Sequence, residues 1–200
     1  MERTHESVPS PEEARARERR WVERARNGDR EAFEHLCREA YPALLHYARS
    51  LAGPDRAPDL AQEALLRALR SIDRFRGEAR FRSWLLRIAR NVWLNERALL
   101  RSKRERSGSQ QVEERAGAHV DPAARLEREE LVAALEREIA TLPAAQREAL
   151  LLCDREGLSY KEIAQVMGCP IGTVMSRIHY ARTRLRRRLG RWWKNGRGVG

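Results

Sequence analysis

The sequence is short of most things that would make a sheet protein, a membrane protein or a disulfide scaffold. Aromatic residues are only 6% of 200, and alternating runs of β-branched and aromatic side chains are nearly absent, so a helical chain is expected. No apolar stretch approaches the roughly 18–20 residues of a membrane span. The opening MERTHESVPS lacks the apolar core of a secretory signal, which makes the expected location cytoplasmic. Cys37, Cys153 and Cys169 are odd in number and widely spaced, which argues against a disulfide framework and for reduced thiols. No Walker loop, glycine-rich fingerprint or nucleophile–base motif occurs, so no catalytic residue and no cofactor is assigned. The one close pair of metal-binding side chains, His35-x-Cys37, reads as a packed or solvated pair, and no metal site is expected.

What the chain has is charge. Forty Lys and Arg against twenty-nine Asp and Glu give a net charge of +11, the sign expected of a protein that meets nucleic acid or an anionic surface. The excess is uneven. Residues 1–79 balance at fifteen of each sign, and residues 80–106 hold nine basic against two acidic. Residues 107–158 hold six against eleven, and residues 159–200 hold ten against one. The positive charge therefore lies in two blocks separated by an acidic one.

Helix punctuation divides the chain. Ser10-Pro11-Glu12-Glu13 combines an N-cap, a proline at the first helical position and a capping-box glutamate, and the helix it starts stops at Asn27-Gly28. Asp29 caps a second helix to about Ser50. Asp59 opens a third, with Ala61, Ala64, Leu65, Ala68, Leu69 and Ile72 as its apolar stripe and Gly77 past its end. A fourth, from Phe81, sets Phe81, Trp84, Leu85, Ile88, Val92 and Leu99 on one side and Arg82, Arg90, Trp93 and Arg97 on the other, with Asn91 and Asn95 at the border. Basic residues with an interleaved tryptophan suit a nucleic-acid surface.

Residues 102–121 have two Val and two Ala as their only apolar residues and carry four charges of each sign. Such a stretch buries too little to offset ordering entropy and reads as a flexible linker. The fold class expected is all-α, two small helical domains joined by that linker. Asp121-Pro122 restarts helix with Leu131, Leu135, Ile139 and Leu142 inward. Helices follow over about 143–155, 160–167 and 170–189, the middle one opened by the capping box Ser159-x-x-Glu162 and closed by Gly168.

A short capped helix, a turn at Gly168-Cys169-Pro170 and a longer helix spell a helix-turn-helix, whose second helix enters the major groove by its N-terminal end. Ile171, Val174, Ile178, Ala181 and Leu185 form its inner face. Small and hydroxyl residues opposite them allow close approach to bases, and flanking arginines suit phosphates. The terminal Gly190-Arg-Trp-Trp-Lys-Asn-Gly-Arg-Gly-Val-Gly is too short and glycine-rich for stable helix beyond Trp193, and reads as a frayed tail or a partner-contacting extension.

With those residues in view, Gly157-Leu-Ser-Tyr-Lys-Glu-Ile-Ala and Met167-Gly-Cys-Pro-Ile-Gly-Thr-Val-Met-Ser-Arg resemble region 4 of the bacterial extracytoplasmic-function sigma factors. Asp59-Leu-Ala-Gln-Glu-Ala-Leu-Leu-Arg-Ala-Leu resembles region 2.2. Phe75-Arg-Gly with Phe81-Arg-Ser-Trp-Leu-Leu-Arg-Ile-Ala-Arg-Asn-Val resembles regions 2.3 and 2.4. The resemblance divides the chain into an N-terminal extension and start of the first helix (1–24), region 2 (25–104), a linker (105–124), region 4 (125–190) and a basic tail (191–200).

It implies a factor that binds the clamp and flap of core RNA polymerase, reads the −10 and −35 elements of promoter DNA and is held in check by an anti-sigma factor, nucleoid-associated when in holoenzyme. Carried over residue by residue, polymerase binding falls on Asp59, Gln62 and Glu63. The −10 contacts fall on Arg67, Ser71, Phe75, Arg76, Asn91 and Asn95, with a core plug as the alternative for Phe75. The −35 contacts fall on Thr173, Met175, Ser176, Arg177, His179 and Tyr180. Many relatives have arginine where Met175 stands, and some have a basic residue in place of Cys153. The alternative from the residues alone is a stand-alone helix-turn-helix regulator of duplex DNA.

Overall fold

A computed structural model describes residues 10–107 and 134–196, and every regular element within them is helical. The helices are α1 (Pro11–Arg26), α2 (Arg30–Ala52), α3 (Ala57–Ser71), α4 (Phe81–Ser107), α5 (Ala144–Asp154), α6 (Tyr160–Met167) and α7 (Ile171–Gly196), with a 3-10 turn at Ile72–Arg74 and helical residues 134–140 ahead of α5.

The caps act where the sequence puts them. Ser10 Oγ accepts from the Glu13 N–H at 3.2 Å and Glu13 accepts from the Ser10 N–H at 2.7 Å, satisfying two of the first-turn donors that a helix leaves unpaired. Asp29 accepts from the Ala32 N–H at 3.0 Å and from Arg24 Nε at 2.8 Å, so one carboxylate starts α2 and ties it to the end of α1.

In the first domain α2 packs against α1, α3 and α4. Leu36, Leu44, Ala61, Ala64, Leu85 and Val92 are buried among them. An aromatic cluster closes one end: Phe75 stacks on Trp84 at 4.7 Å between centroids, and Phe81 meets Phe33 and Phe75 edge-on, each at 6.2 Å. In the second domain Leu152, Ile163, Val166, Val174, Ile178 and Ala181 are buried, with Leu142 and Leu150 beside them.

Several boundaries differ from the sequence reading. The third helix starts at Ala57, with Arg56 at the N-cap, so Asp59 sits inside its first turn; Pro58 fixes the φ that the first turn needs. Leu69 is half exposed, on the outer face of α3 between buried Ala68 and Ile72, and Leu99 is 64% exposed in the last part of α4. Ile171 is also exposed, lying at the very start of its helix. Residues 102–107, expected in the linker, continue α4, and α7 continues past Trp193 to Gly196. Asp121, Pro122 and Leu131 lie outside the described residues.

The largest difference concerns how the domains sit. They dock on each other: α4 packs against α6, and one buried apolar cluster runs from Leu44, Leu85 and Leu86 in the first domain to Leu152, Ile163 and Val174 in the second. This gives α4 a second buried side. Leu86 and Ala89 are fully buried and Ser83 is 2% exposed, on a helix whose sequence suggests one apolar stripe.

Candidate nucleic-acid interface

The second-domain site starts from its turn. Ser159 N–H and Oγ both donate to Glu162 Oε2, at 2.9 and 2.7 Å, and Glu162 N–H returns a bond to Ser159 Oγ at 3.3 Å. Gly168 then ends α6 in the left-handed region at φ 62° and ψ 41°, a conformation that glycine adopts without a Cβ clash. Cys169 and Pro170 follow, and α7 leaves at a new angle.

Val174, Ile178, Ala181 and Leu185 hold the inner face of α7 against the domain. The candidate −35 residues lie opposite. Met175, Ser176, His179 and Tyr180 are exposed, and Thr173 and Arg177 are half-buried. Tyr180 lies edge-on to His179 at 5.6 Å. Ser176 Oγ donates to the Thr173 carbonyl at 3.0 Å, a bond that does not use its acceptor lone pairs. Arg177 points Nη1 at Cys169 Sγ, 3.4 Å away, and so is tied to the turn. Arg182 pairs with Asp154 and also lies 3.6 Å from Cys153 Sγ.

On α3, Asp59 and Gln62 are exposed and Glu63 is half-buried. Glu63 accepts from Arg67 Nε at 2.7 Å, so the candidate polymerase-binding and −10 groups are linked one turn apart. Leu66 and Leu69 are exposed on the same face. Ser71 Oγ donates to the Arg67 carbonyl at 2.6 Å. Arg76, Asn91 and Asn95 are exposed. Phe75 is 5% exposed and belongs to the aromatic cluster, the core plug left open above; it supports the loop from below, as does the stripe residue Trp84.

Arg82 and Arg90, read from sequence as part of an open basic face, are engaged instead. Arg82 Nη2 donates to the Glu156 carbonyl at 2.8 Å. Arg90 Nε donates to Glu148 Oε1 at 2.7 Å, with 18% and 10% of the two side chains exposed. Tyr47 Oη donates to the same oxygen at 2.6 Å. Burial, and then the Glu148 charge, push the Tyr47 phenol well above its usual value, so it stays a neutral donor. His46 Nδ1 lies 2.9 Å from Glu156 Oε1, whose side chain is 8% exposed. Ser83 Oγ donates to Glu162 Oε1 at 3.1 Å. Tyr47, Glu148, Glu156 and Ser83 were not singled out from sequence. The one signal, for Glu148 and Glu156 alone, was the acidic block between two basic ones.

Glu162 thus caps α6 with one oxygen and ties it to α4 with the other. Burial pushes its carboxyl up, but the bonds from Ser159 and Ser83, with Arg80 nearby, outweigh burial and hold it below the usual 4.5. A carboxyl lowered on folding contributes stability above its unfolded value and loses it as pH falls through the folded one. The difference in melting temperature between the protein and Glu162→Gln should therefore be constant at neutral pH and narrow below about pH 4.5. A difference that does not change with pH would remove this role.

Among the described residues no group of three or more His, Cys, Asp and Glu is placed to hold a metal ion, and no helix is long and apolar enough to cross a membrane. His35 stacks on Trp21 at 4.2 Å. Burial, and then Glu34, push the Cys37 thiol up to about 12, so it is a protonated packing residue at neutral pH.

A helix-turn-helix with an open outer face, carried by an all-helical chain with a second helical domain, defines a DNA-binding protein of the transcription apparatus. The comparisons make the class specific. The profile of Sigma-70 region 2 matches residues 36–105 and that of Sigma-70, region 4, matches residues 133–185. The RNA polymerase sigma-H factor of Pseudomonas aeruginosa is 38% identical over 170 residues, 80% of this chain and 88% of that protein. The ECF RNA polymerase sigma-E factor of Escherichia coli K12 is 38% identical over 169 residues, with the same two shares of 80% and 88%.

Among solved structures, the sigma factor RpoE in complex with the anti-sigma factor NepR from Bartonella quintana superposes with a TM-score of 0.67 at 30% identity, covering 79% of this chain and 96% of that one. CnrH in complex with the cytosolic domain of CnrY superposes with a TM-score of 0.62 at 27% identity, covering 86% and 97%. The chain belongs to the extracytoplasmic-function sigma factors, which bind core RNA polymerase and promoter DNA as specificity factors for transcription initiation and are not enzymes.

Proposed function

We propose that the two domains divide promoter recognition as the matching motifs suggest, with residues 25–104 serving the −10 element and polymerase and residues 125–190 the −35 element. The observation that carries this is the outer face of α7: Met175, Ser176, His179 and Tyr180 are exposed over a fully buried Val174–Ile178–Ala181 face. Thr173 and Arg177 flank them and complete the reading surface. On the first domain, Asp59, Gln62 and Glu63 present an acidic and amide face for the clamp. Arg67, Ser71 and Arg76 lie along the end of α3 and the loop above Phe75, where an extruded base would find hydrogen-bonding groups over an apolar floor, and Asn91 and Asn95 lie farther along α4.

Two weak sites on one chain become a strong one only when their separation is fixed. Core polymerase would do this, and an anti-sigma factor would compete for the same faces, as the partners in the two superposed complexes suggest. The work is cytoplasmic, on nucleoid DNA. Run-off transcription with core polymerase over a genomic fragment library should yield transcripts from promoters sharing two boxes. Gel shifts should show tight specific binding only with core polymerase present; tight specific binding by the isolated chain would overturn the division of labour.

A further inference from the structure

We propose that the groove between α2 and the turn after α5 is a binding site for a small nucleotide, a nucleoside di- or triphosphate, whose phosphates lie on Arg49, Arg82 and Arg155. This goes beyond the promoter and polymerase roles above and uses none of the residues assigned to them.

The groove has a volume of about 550 Å³, within the range of small-molecule sites. Its three arginines come from three elements: Arg49 from the last turn of α2, Arg82 from the first turn of α4 and Arg155 from the C-cap of α5. Arg49 and Arg155 are exposed and Arg82 is half-buried. Among the described residues none of the three pairs with a carboxylate. Arg82 gives Nη2 to the Glu156 carbonyl at 2.8 Å, which leaves its charge unanswered and the rest of its donor fork available. Two carboxylates also line the groove, and both face other groups. Glu39 lies 3.4 Å from His35 and 3.8 Å from Arg17, and Glu156 lies 2.9 Å from His46 Nδ1.

The ends of α2 and α5 offset only about half a charge each. An anion of several charges relieves the repulsion that remains, and arginine is the side chain whose fork matches phosphate oxygens. Beside the arginines, Pro42, Ala43 and Leu45 form an apolar wall. A bare phosphate would leave that wall wet, whereas the base of a nucleotide covers it. Neither the outer face of α7 nor the loop after α3 contributes to the groove, so the site is separate from the proposed path of DNA.

Isothermal titration of the full-length chain without polymerase tests this, with ADP, inorganic pyrophosphate and adenosine as probes. ADP should bind one to one. Pyrophosphate should bind about tenfold more weakly, since it lacks the base that covers the wall, and adenosine should show no binding at the same concentrations. Arg49→Gln and Arg155→Gln should each weaken ADP about tenfold, the size of one charge-assisted hydrogen bond. Arg15→Gln with Arg20→Gln removes two exposed charges of α1 and should leave ADP binding unchanged.

No saturable heat with ADP overturns the site. An equal loss in the Arg15/Arg20 variant overturns it as well, because net charge would then suffice. Pyrophosphate binding as tightly as ADP overturns the nucleotide in favour of a bare phosphate site. If Arg49→Gln with Arg155→Gln weakens binding to a duplex of arbitrary sequence as much as it weakens ADP, the groove is a DNA-backbone surface instead.

Discussion

Replacing Phe81 with alanine should cost the protein about 3–5 kcal/mol of folding stability, the range for large buried aromatics. The side chain is 2% exposed, and its ring touches Phe33, Phe75 and Trp84, the last with centroids 5.6 Å apart. Its N–H, at the first residue of α4, donates to Glu18 of α1 at 2.7 Å, so the ring locks a helix start that three other elements lean on. Against a total of about 5–15 kcal/mol for a natural domain, the loss is severe. Urea titration followed by circular dichroism measures it, and Phe81→Leu should keep more than half of the lost stability. Because Phe75 is held by the same cluster, transcription should fall with the folded fraction and further still, through a loosened loop at Ser71 and Arg76. A loss under about 1 kcal/mol would mean that the cluster is filler and not a keystone.

Introducing arginine at Met175 should change what the protein reads. Met175 is 52% exposed on the outer face of α7, and its thioether offers only apolar contact, as to a thymine methyl. Arginine there can bond guanine O6 and N7 together, worth about 1–3 kcal/mol of discrimination, or roughly 5- to 150-fold between bases. Holoenzyme carrying Met175→Arg, tested against a promoter library randomised in its upstream box, should gain a guanine at one position. The same library with the unchanged −10 box should show no shift there. An unaltered preference would take this position out of base reading.

How much of this was legible beforehand depends on how local the cause is. The start and end of α6 were readable because Ser159, Glu162 and Gly168 set them through bonds spanning three or four residues. The face of α7 was readable because Val174, Ile178, Ala181 and Leu185 recur at helical spacing. The second buried side of α4 was not: Ser83, Leu86 and Ala89 owe their burial to a domain more than fifty residues away in sequence, and periodicity reports one face at a time. Phe75 shows the same limit, since a phenylalanine beside arginines in a loop is equally consistent with a core plug or a base contact until its neighbour Trp84 is seen. Arg82 and Arg90 were read correctly as a basic face and incorrectly as an open one, because sign is visible in sequence and pairing is not.

Glu148 makes the chain carry one of its own counterions. Arg90 is already neutralised by that carboxylate, and Arg82 is held by the Glu156 backbone carbonyl of the same polypeptide. The net charge of +11 therefore overstates the pull that the free protein exerts on DNA.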